Sequence, residues 1–357
     1  PQHFSAPATR FHEACTRRAE TFPDNLLATA THDHKRGEDS RARLAVLSEC
    51  AGWYAEQVER WRQLAIPLKD EDISISAGDE LMLYQTLLGS WPLNMEAEHA
   101  FEDYAERLVT WQEKALREAK LQSSWSAPNE PYENACRSFL NRVLLAPEGL
   151  ALRQSVGATA NRIATAGALN SLTQTLLRMT VPGVPDLYQG TEFWDFSLVD
   201  PDNRRPVDYA ARVNALEHTL NADALLANWQ DGRIKQALIT KVLNVRAEHS
   251  ALFSRGSYIP LRVVGLCADQ VLAFARVIDG HRAIVVVPRV SSELLGTAQT
   301  PLINASSWGD TQVMLPFKGS DHCWKGLFSG TVVTTNNALM LSAALKSFSV
   351  NLFIQTA

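Results

Sequence analysis

The sequence predicts an α+β, multidomain chain with two separated β/α units, a large all-helical insertion and a C-terminal antiparallel β-sandwich domain. Three observations predict it. Two short apolar runs, Leu26–Thr31 and Val184–Tyr188, are each bounded by Pro or Gly and followed by a polar loop, which reads as a buried strand opening into a charged loop. The runs lie about 150 residues apart whereas a βαβ crossover takes about 30, so if they are neighbours in one sheet the sequence between them is inserted. After Leu252 the helical period gives way to strand-like runs, including Val271–Ile278 and His281–Val287 around an Asp279-Gly280 hairpin turn.

In chain order, Thr9–Thr21 reads as a helix ending at Phe22-Pro23, and the first strand follows. Its polar loop feeds a helix starting near Glu38-Asp39, acidic residues suited to the positive end of a helix. Leu44, Leu47, Val58, Trp61 and Leu64 mark further helical faces, with Gly52 as punctuation and Pro67 as a stop. Leu81, Tyr84, Leu87 and Leu88 mark another, stopped by Trp91-Pro92. Over Glu96–Lys120, Phe101, Tyr104, Leu108, Trp111 and Leu116 recur at helical spacing between charges, an amphipathic helix. Tyr132–Leu145 and the Ala- and Leu-rich Ala158–Met179 are helical, the latter buried on most sides. The second strand follows, then helices over Val207–Trp229 and Arg233–His249. Val313–Leu315, Trp324–Phe328 and Phe348–Ile354 add strands to the tail.

The formal net charge of −5 and the lack of a long basic run argue against nucleic acid as a partner. Five scattered cysteines, none at metal-ligand spacing, read as reduced thiols of a cytoplasmic protein. There is no signal-peptide pattern and no apolar run of about 18 residues, so no membrane partner is expected.

Polar residues just beyond a strand's C-terminal end are the usual seat of chemistry in α/β barrels. Here they are His32, Asp33, His34, Lys35 and Arg36 after the first strand, and Glu192, Asp200, Asn203 and Arg204 after the second. The first cluster has a bland reading, with Asp33 capping a helix or paired in a salt bridge and Arg36, Glu38 and Asp39 forming a structural ion-pair cluster. It also has a metal reading, since alternate strand residues point the same way, but no distant His/Cys cluster completes it and no metal is expected. For the second cluster, substrate contact and loop bracing are equally open. Trp125, in the loop after the amphipathic helix, is a candidate to stack on a sugar face.

Three segments carry a resemblance: ATATHDHKRGEDSRARLAVLSE from Ala28, KALREAKLQSSW with PNEPYE from Lys114, and PGVPDLYQGTEFWDFSLVDPDNRRPVDY from Pro182. In this order they resemble the maltooligosyltrehalose synthases, a family of the α-amylase superfamily, glycoside hydrolase family 13. The resemblance implies the last two β/α units of a (β/α)8 barrel. Residues 1–51 are then the seventh unit, 52–150 a helical insertion, 151–250 a helix and the eighth unit, and 251–357 the C-terminal all-β domain. The implied reaction turns the reducing-end α-1,4 bond of a maltooligosaccharide into an α,α-1,1 bond by intramolecular transglycosylation, without a cofactor.

By the same resemblance Asp33 is the third essential carboxylate, with His32 on the same sugar and Lys35 on the neighbouring glucose. His34 departs from the family, which more often has a small hydroxyl residue there. The nucleophile and general acid follow the fourth and fifth strands in the family, so the chain is expected to be inactive alone. Its partner is then the remaining N-terminal barrel portion of the same enzyme. A non-catalytic glucan-binding module and a metal-dependent hydrolase on His32 and His34 are the alternatives.

Overall fold

The computed structural model describes residues 6–93, 100–218, 220–317, 322–328, 330, 332–335 and 337–356. The chain falls into two compact units, one formed by His32–Gly167 with Asp195–Pro206, the other by Pro1–Thr31, Ala168–Trp194 and Val207–Ala357.

The first unit is helical: Glu38–Ala45, Ala51–Ala65, Ala77–Ser90, Ala100–Ala119, Glu130–Leu144 and the first half of Leu150–Thr180. Of the amphipathic helix expected over Glu96–Lys120, residues 96–99 lie outside the described residues. Side-chain caps set two of the starts. The Ser76 hydroxyl accepts the Asp79 N–H at 3.1 Å and the Asn129 side chain accepts the Tyr132 N–H at 3.3 Å, satisfying first-turn donors that have no partner within the helix. Trp61, Tyr84, Leu88, Leu108, Phe139 and Leu140 fill the core. Arg43 is buried among them and donates to the carbonyls of Leu88 and Trp91, at 3.3 and 2.7 Å, where the helix Ala77–Ser90 runs out of its own donors. Burial pushes the Arg43 guanidinium down to about 10. Gly167 lets the long helix approach here, since a Cβ on it would stand 2.8 Å from the Arg43 Cα.

In the second unit the helix Ala8–Thr21 leads to β1 (Leu26–Leu27), which pairs in parallel with β2 (Val184–Pro185) in the register Leu26↔Val184. Both strands are shorter than their apolar runs. Val184 and Asp186 donate to Asn25 and Leu27 at 2.9 Å, while Pro185 between them has no N–H to offer. Burial of these strands is also corrected, because Leu26 is 68% and Val184 42% exposed. Apolar content predicted burial on both faces, whereas both side chains keep a large part of their surface open to solvent.

The helix expected over Val207–Trp229 is two, Tyr209–Glu217 and Ala222–Ala227, because the Asn221 side chain caps the second by accepting the Ala224 N–H at 2.8 Å. Arg233–Glu248 and Ser250–Ser254 follow. The remaining strands are β3 (Ser257–Pro260), β4 (Val263–Val264), β5 (Val271–Ile278), β6 (His281–Pro288), β7 (Gln312–Met314), β8 (His322–Gly326), β9 (Val332–Thr335), β10 (Ala338–Met340) and β11 (Asn351–Thr356). They form two antiparallel sheets, β3-β5-β6-β11-β8-β9 and β10-β7-β4. Two one-turn helices, Ser292–Leu295 and Leu341–Ala344, interrupt the strands.

The hairpin turn has φ of 47° at Asp279 and 83° at Gly280, both left-handed, which matches the twist of the flanking strands. On β5 the guanidinium of Arg276 donates to Thr180, Phe253 and Gly256 carbonyls at 2.9–3.0 Å, tying the sheet to the end of the long helix.

Candidate active site

The segment His32–Gly37 has almost no regular structure of its own, so its shape comes from what it is tied to. Its backbone runs beside Asp195–Leu198: Gly37 donates to Ser197 at 2.7 Å, Asp39 to Asp195 at 3.3 Å, and Arg36 bridges antiparallel to Leu198. Gly37 is required by this closeness, because a Cβ there would strike the Asp195 carbonyl oxygen. The Asp39 carboxylate, buried in the first helical turn, accepts the Asp195 N–H at 2.5 Å. The helix start and the distant segment thus hold each other through both backbone and side chain.

Side chains complete the attachment. The Asn203 amide donates to the His32 carbonyl at 2.5 Å. His34 Nε2 lies 3.2 Å from the Ser197 hydroxyl and 4.0 Å from the Asp195 carboxylate. The Lys35 ammonium reaches Glu118 at 3.0 Å, and that hydrogen bond raises its pKa. Arg36 donates to the Thr86 hydroxyl at 3.2 Å, and burial lowers its pKa. Asp33 stands exposed in the turn between these fixed neighbours.

The loop Asp200–Arg205 is braced in turn. Arg204 pairs with Asp200 at 2.8 Å, and Lys114 donates to the Asp200 carbonyl at 3.0 Å. Below them lies Asp202, which sequence reasoning did not single out. It is buried, accepts from Arg107 at 2.8 and 3.0 Å and from the Leu198 N–H at 2.8 Å, and pairs with Arg205 at 3.0 Å. Burial opposes its ionisation, yet the Arg107 hydrogen bonds, the Arg107 and Arg205 charges and the Leu198 N–H together outweigh it and hold the carboxyl below its ordinary value. The available signal was the Asp-Pro-Asp pair of carboxylates, which does not tell which one points inward.

The structure therefore gathers His32, Asp33, Lys35, Asp200, Asn203 and Arg204 within one unit. Trp125 belongs to the same unit, 56% exposed, with the Arg117 guanidinium 5.0 Å from its ring centroid. Arg117 is fixed by Glu133 at 2.8 and 2.9 Å, and Glu133 also accepts from the Ser123 hydroxyl at 2.5 Å. Glu192 lies in the other unit, where Arg212 pairs with it at 3.0 Å. Among the described residues no three His, Cys, Asp or Glu side chains are grouped to hold a metal ion, and no helix is long and apolar enough to cross a membrane.

No family model matches the chain. Its fold aligns with the structure of maltooligosyltrehalose synthase from Arthrobacter ramosus at a TM-score of 0.76 and 29% identity, over 99% of this chain and 41% of that one. A hypothetical maltooligosyl trehalose synthase of Sulfolobus tokodaii aligns at 0.72 and 26% identity, over 99% and 41%. In sequence, the chain is 35% identical over 333 residues to a putative maltooligosyl trehalose synthase of Mycobacterium tuberculosis. That match takes in 92% of this chain and 38% of the relative, so the chain spans about two fifths of the curated relatives' length.

Proposed function

We propose that the chain is the C-terminal part of an enzyme that converts the reducing-end α-1,4 linkage of maltooligosaccharides to an α,α-1,1 linkage. The observation that carries this reading is the 35% identity over 92% of the chain to a maltooligosyl trehalose synthase. In the proposal β1 and β2 are the seventh and eighth strands of a (β/α)8 barrel and the helices between them an insertion. Their parallel pairing supports it, since parallel neighbours need a long crossover.

Asp33 then hydrogen-bonds hydroxyls of the sugar at the cleavage point, bonds that strengthen as the oxocarbenium ion forms. A retaining transfer also needs a nucleophile and an acid about 5 Å apart. We assign both to the remaining N-terminal barrel portion, the partner that makes the site complete. His32 is proposed to contact the same sugar. Lys35, Trp125, Glu192, Asp200, Asn203 and Arg204 are proposed as neighbouring substrate contacts, with Asp200, Asn203 and Arg204 also holding the loop.

The test is to combine the purified chain with the separately expressed N-terminal portion and follow trehalose-end formation on maltopentaose. The chain alone gives no product, and the mixture does. Asp33→Asn in the mixture lowers kcat by orders of magnitude with little change in KM, because the lost charge acts in the transition state. Near-normal turnover by that variant, or robust turnover by the isolated chain, overturns the assignment.

A further inference from the structure

The unit that carries the antiparallel sheets contains a cleft that the assignment above does not use. It has a volume of about 750 Å³ and lies between the helix Arg233–Glu248, the short helix Ala222–Ala227 and strands β8 and β11. That volume falls within the range of about 300–1,000 Å³ typical of small-ligand clefts. We propose that this cleft binds a neutral oligosaccharide, an α-1,4-glucan segment, at a site separate from Asp33.

The lining has the chemistry of such a ligand. Lys241, Lys325, Asp223 and Glu248 all line the cleft, so the formal charge of the wall balances to zero with His249 neutral. A balanced wall gives an anion no net attraction, whereas a sugar presents hydroxyls that both donate and accept. Lysine ammoniums supply donors only and carboxylates acceptors only, so the wall serves both halves of each hydroxyl. The lining also has an apolar part, Phe328, which is backed by the buried Phe348. Phe328 and Phe348 stack with centroids 4.9 Å apart, and the Lys241 ammonium lies 5.8 Å from the Phe328 ring while reaching the Leu327 carbonyl at 3.4 Å. Leu327 and Val245 extend the apolar floor, which suits the less polar face of a pyranose. All of the cleft's lining residues belong to this one unit.

The choice of an α-1,4-glucan as the ligand rests on the proposed reaction, whereas the cleft itself does not involve Asp33. The test is isothermal titration of the full chain with maltoheptaose, beside the surface variants Glu248→Gln with Lys325→Met and, separately, Asp33→Asn with Trp125→Ala. Circular dichroism checks that each variant is folded. The expected result is saturable binding by the wild type, at least tenfold weaker in the Glu248/Lys325 variant because two charged hydrogen-bonding groups are lost, and unchanged in the Asp33/Trp125 variant. Loss of binding only in the Asp33/Trp125 variant overturns the cleft and favours the other site. Absence of any binding overturns it, as does equal binding by wild type and the Glu248/Lys325 variant. Competition by inorganic phosphate at equal concentration also overturns it, since that marks an anion site.

Discussion

Replacing Arg107 by methionine keeps the length of the stem but removes the cation that Asp202 is built against. In the native unit Asp202 accepts two charge-assisted bonds from Arg107, at 2.8 and 3.0 Å. Each such bond is worth roughly 1.5–3 kcal/mol net, and breaking a buried pair by deleting one partner costs about 3–5 kcal/mol. Two features reduce the loss here. The Arg107 side chain is 22% exposed, and the Leu198 N–H and Arg205 still serve the stranded carboxylate. The expected destabilisation is therefore about 2 kcal/mol. It also has a pH signature. Because the folded Asp202 carboxyl lies below its unfolded value, the stabilisation is full above the ordinary aspartate range and is lost as pH falls through the folded pKa. Urea unfolding followed by tryptophan fluorescence, at neutral pH and near pH 3, should show a wild-type advantage that narrows in acid. A variant within about 0.5 kcal/mol of wild type at neutral pH refutes the reasoning, and so does a gap that acid leaves unchanged.

Gly37→Ala should cost about 1–3 kcal/mol, since its Cβ meets the Asp195 carbonyl, and a melting temperature equal to wild type would contradict the close approach. Asn203→Ala should leave the His32 carbonyl without its donor and speed hydrogen exchange in residues 31–36, with unchanged exchange counting against the tie. Gly280→Ala should destabilise the hairpin by about 1 kcal/mol because alanine resists φ of 83°, and a neutral thermal shift would argue against that turn.

The parts of the fold that the sequence made legible are those governed by near neighbours in the chain. Asp279-Gly280 announces its own turn, and the long helix Leu150–Thr180 extends beyond the predicted Ala158–Met179 only at its ends. Its long run of helix-favouring Ala and Leu makes it recognisable, and no distant contact is needed. The strands β1 and β2 were harder. Their apolar runs gave the right places and left the pairing conditional, but strand length is decided by partners, and Pro185 leaves one backbone position without a donor. The split after Glu217 was missed because an asparagine that caps a helix looks the same in sequence as one lying on a helix surface. In the site, the polar loops were found and Asp202 was not. The Leu198 N–H and Arg205 reach the Asp202 carboxylate from nearby in the chain, but its two bonds to Arg107 come from the distant helix Ala100–Ala119, which the loop sequence does not announce.

That dependence also bears on why the His-Asp pair and the Asp-Pro-Asp-Asn loop occur together. His32 is held through its carbonyl by Asn203, His34 through its ring beside Ser197, and Lys35 through its ammonium by Glu118. Among the described residues, Asp33 is the member of the four that lends no hydrogen-bonding atom to this bracing. A carboxylate used to hold a loop has its lone pairs occupied, as Asp202 has. One that is spared while its neighbours are fixed keeps those acceptors in a defined place without spending them. Fixing the turn from Asn203 and Ser197 makes its geometry depend on a segment far along the chain, so a change in the second loop is transmitted to Asp33 without touching it. Variants of Asn203 should then shift kcat of the reconstituted enzyme more than its KM, as a positioning role requires, whereas a direct sugar contact that is equal in ground and transition states should raise KM alone. Measuring the two constants for Asn203→Ala beside Asp33→Asn separates these possibilities, and a pure KM effect at Asn203 would leave the positioning argument without support.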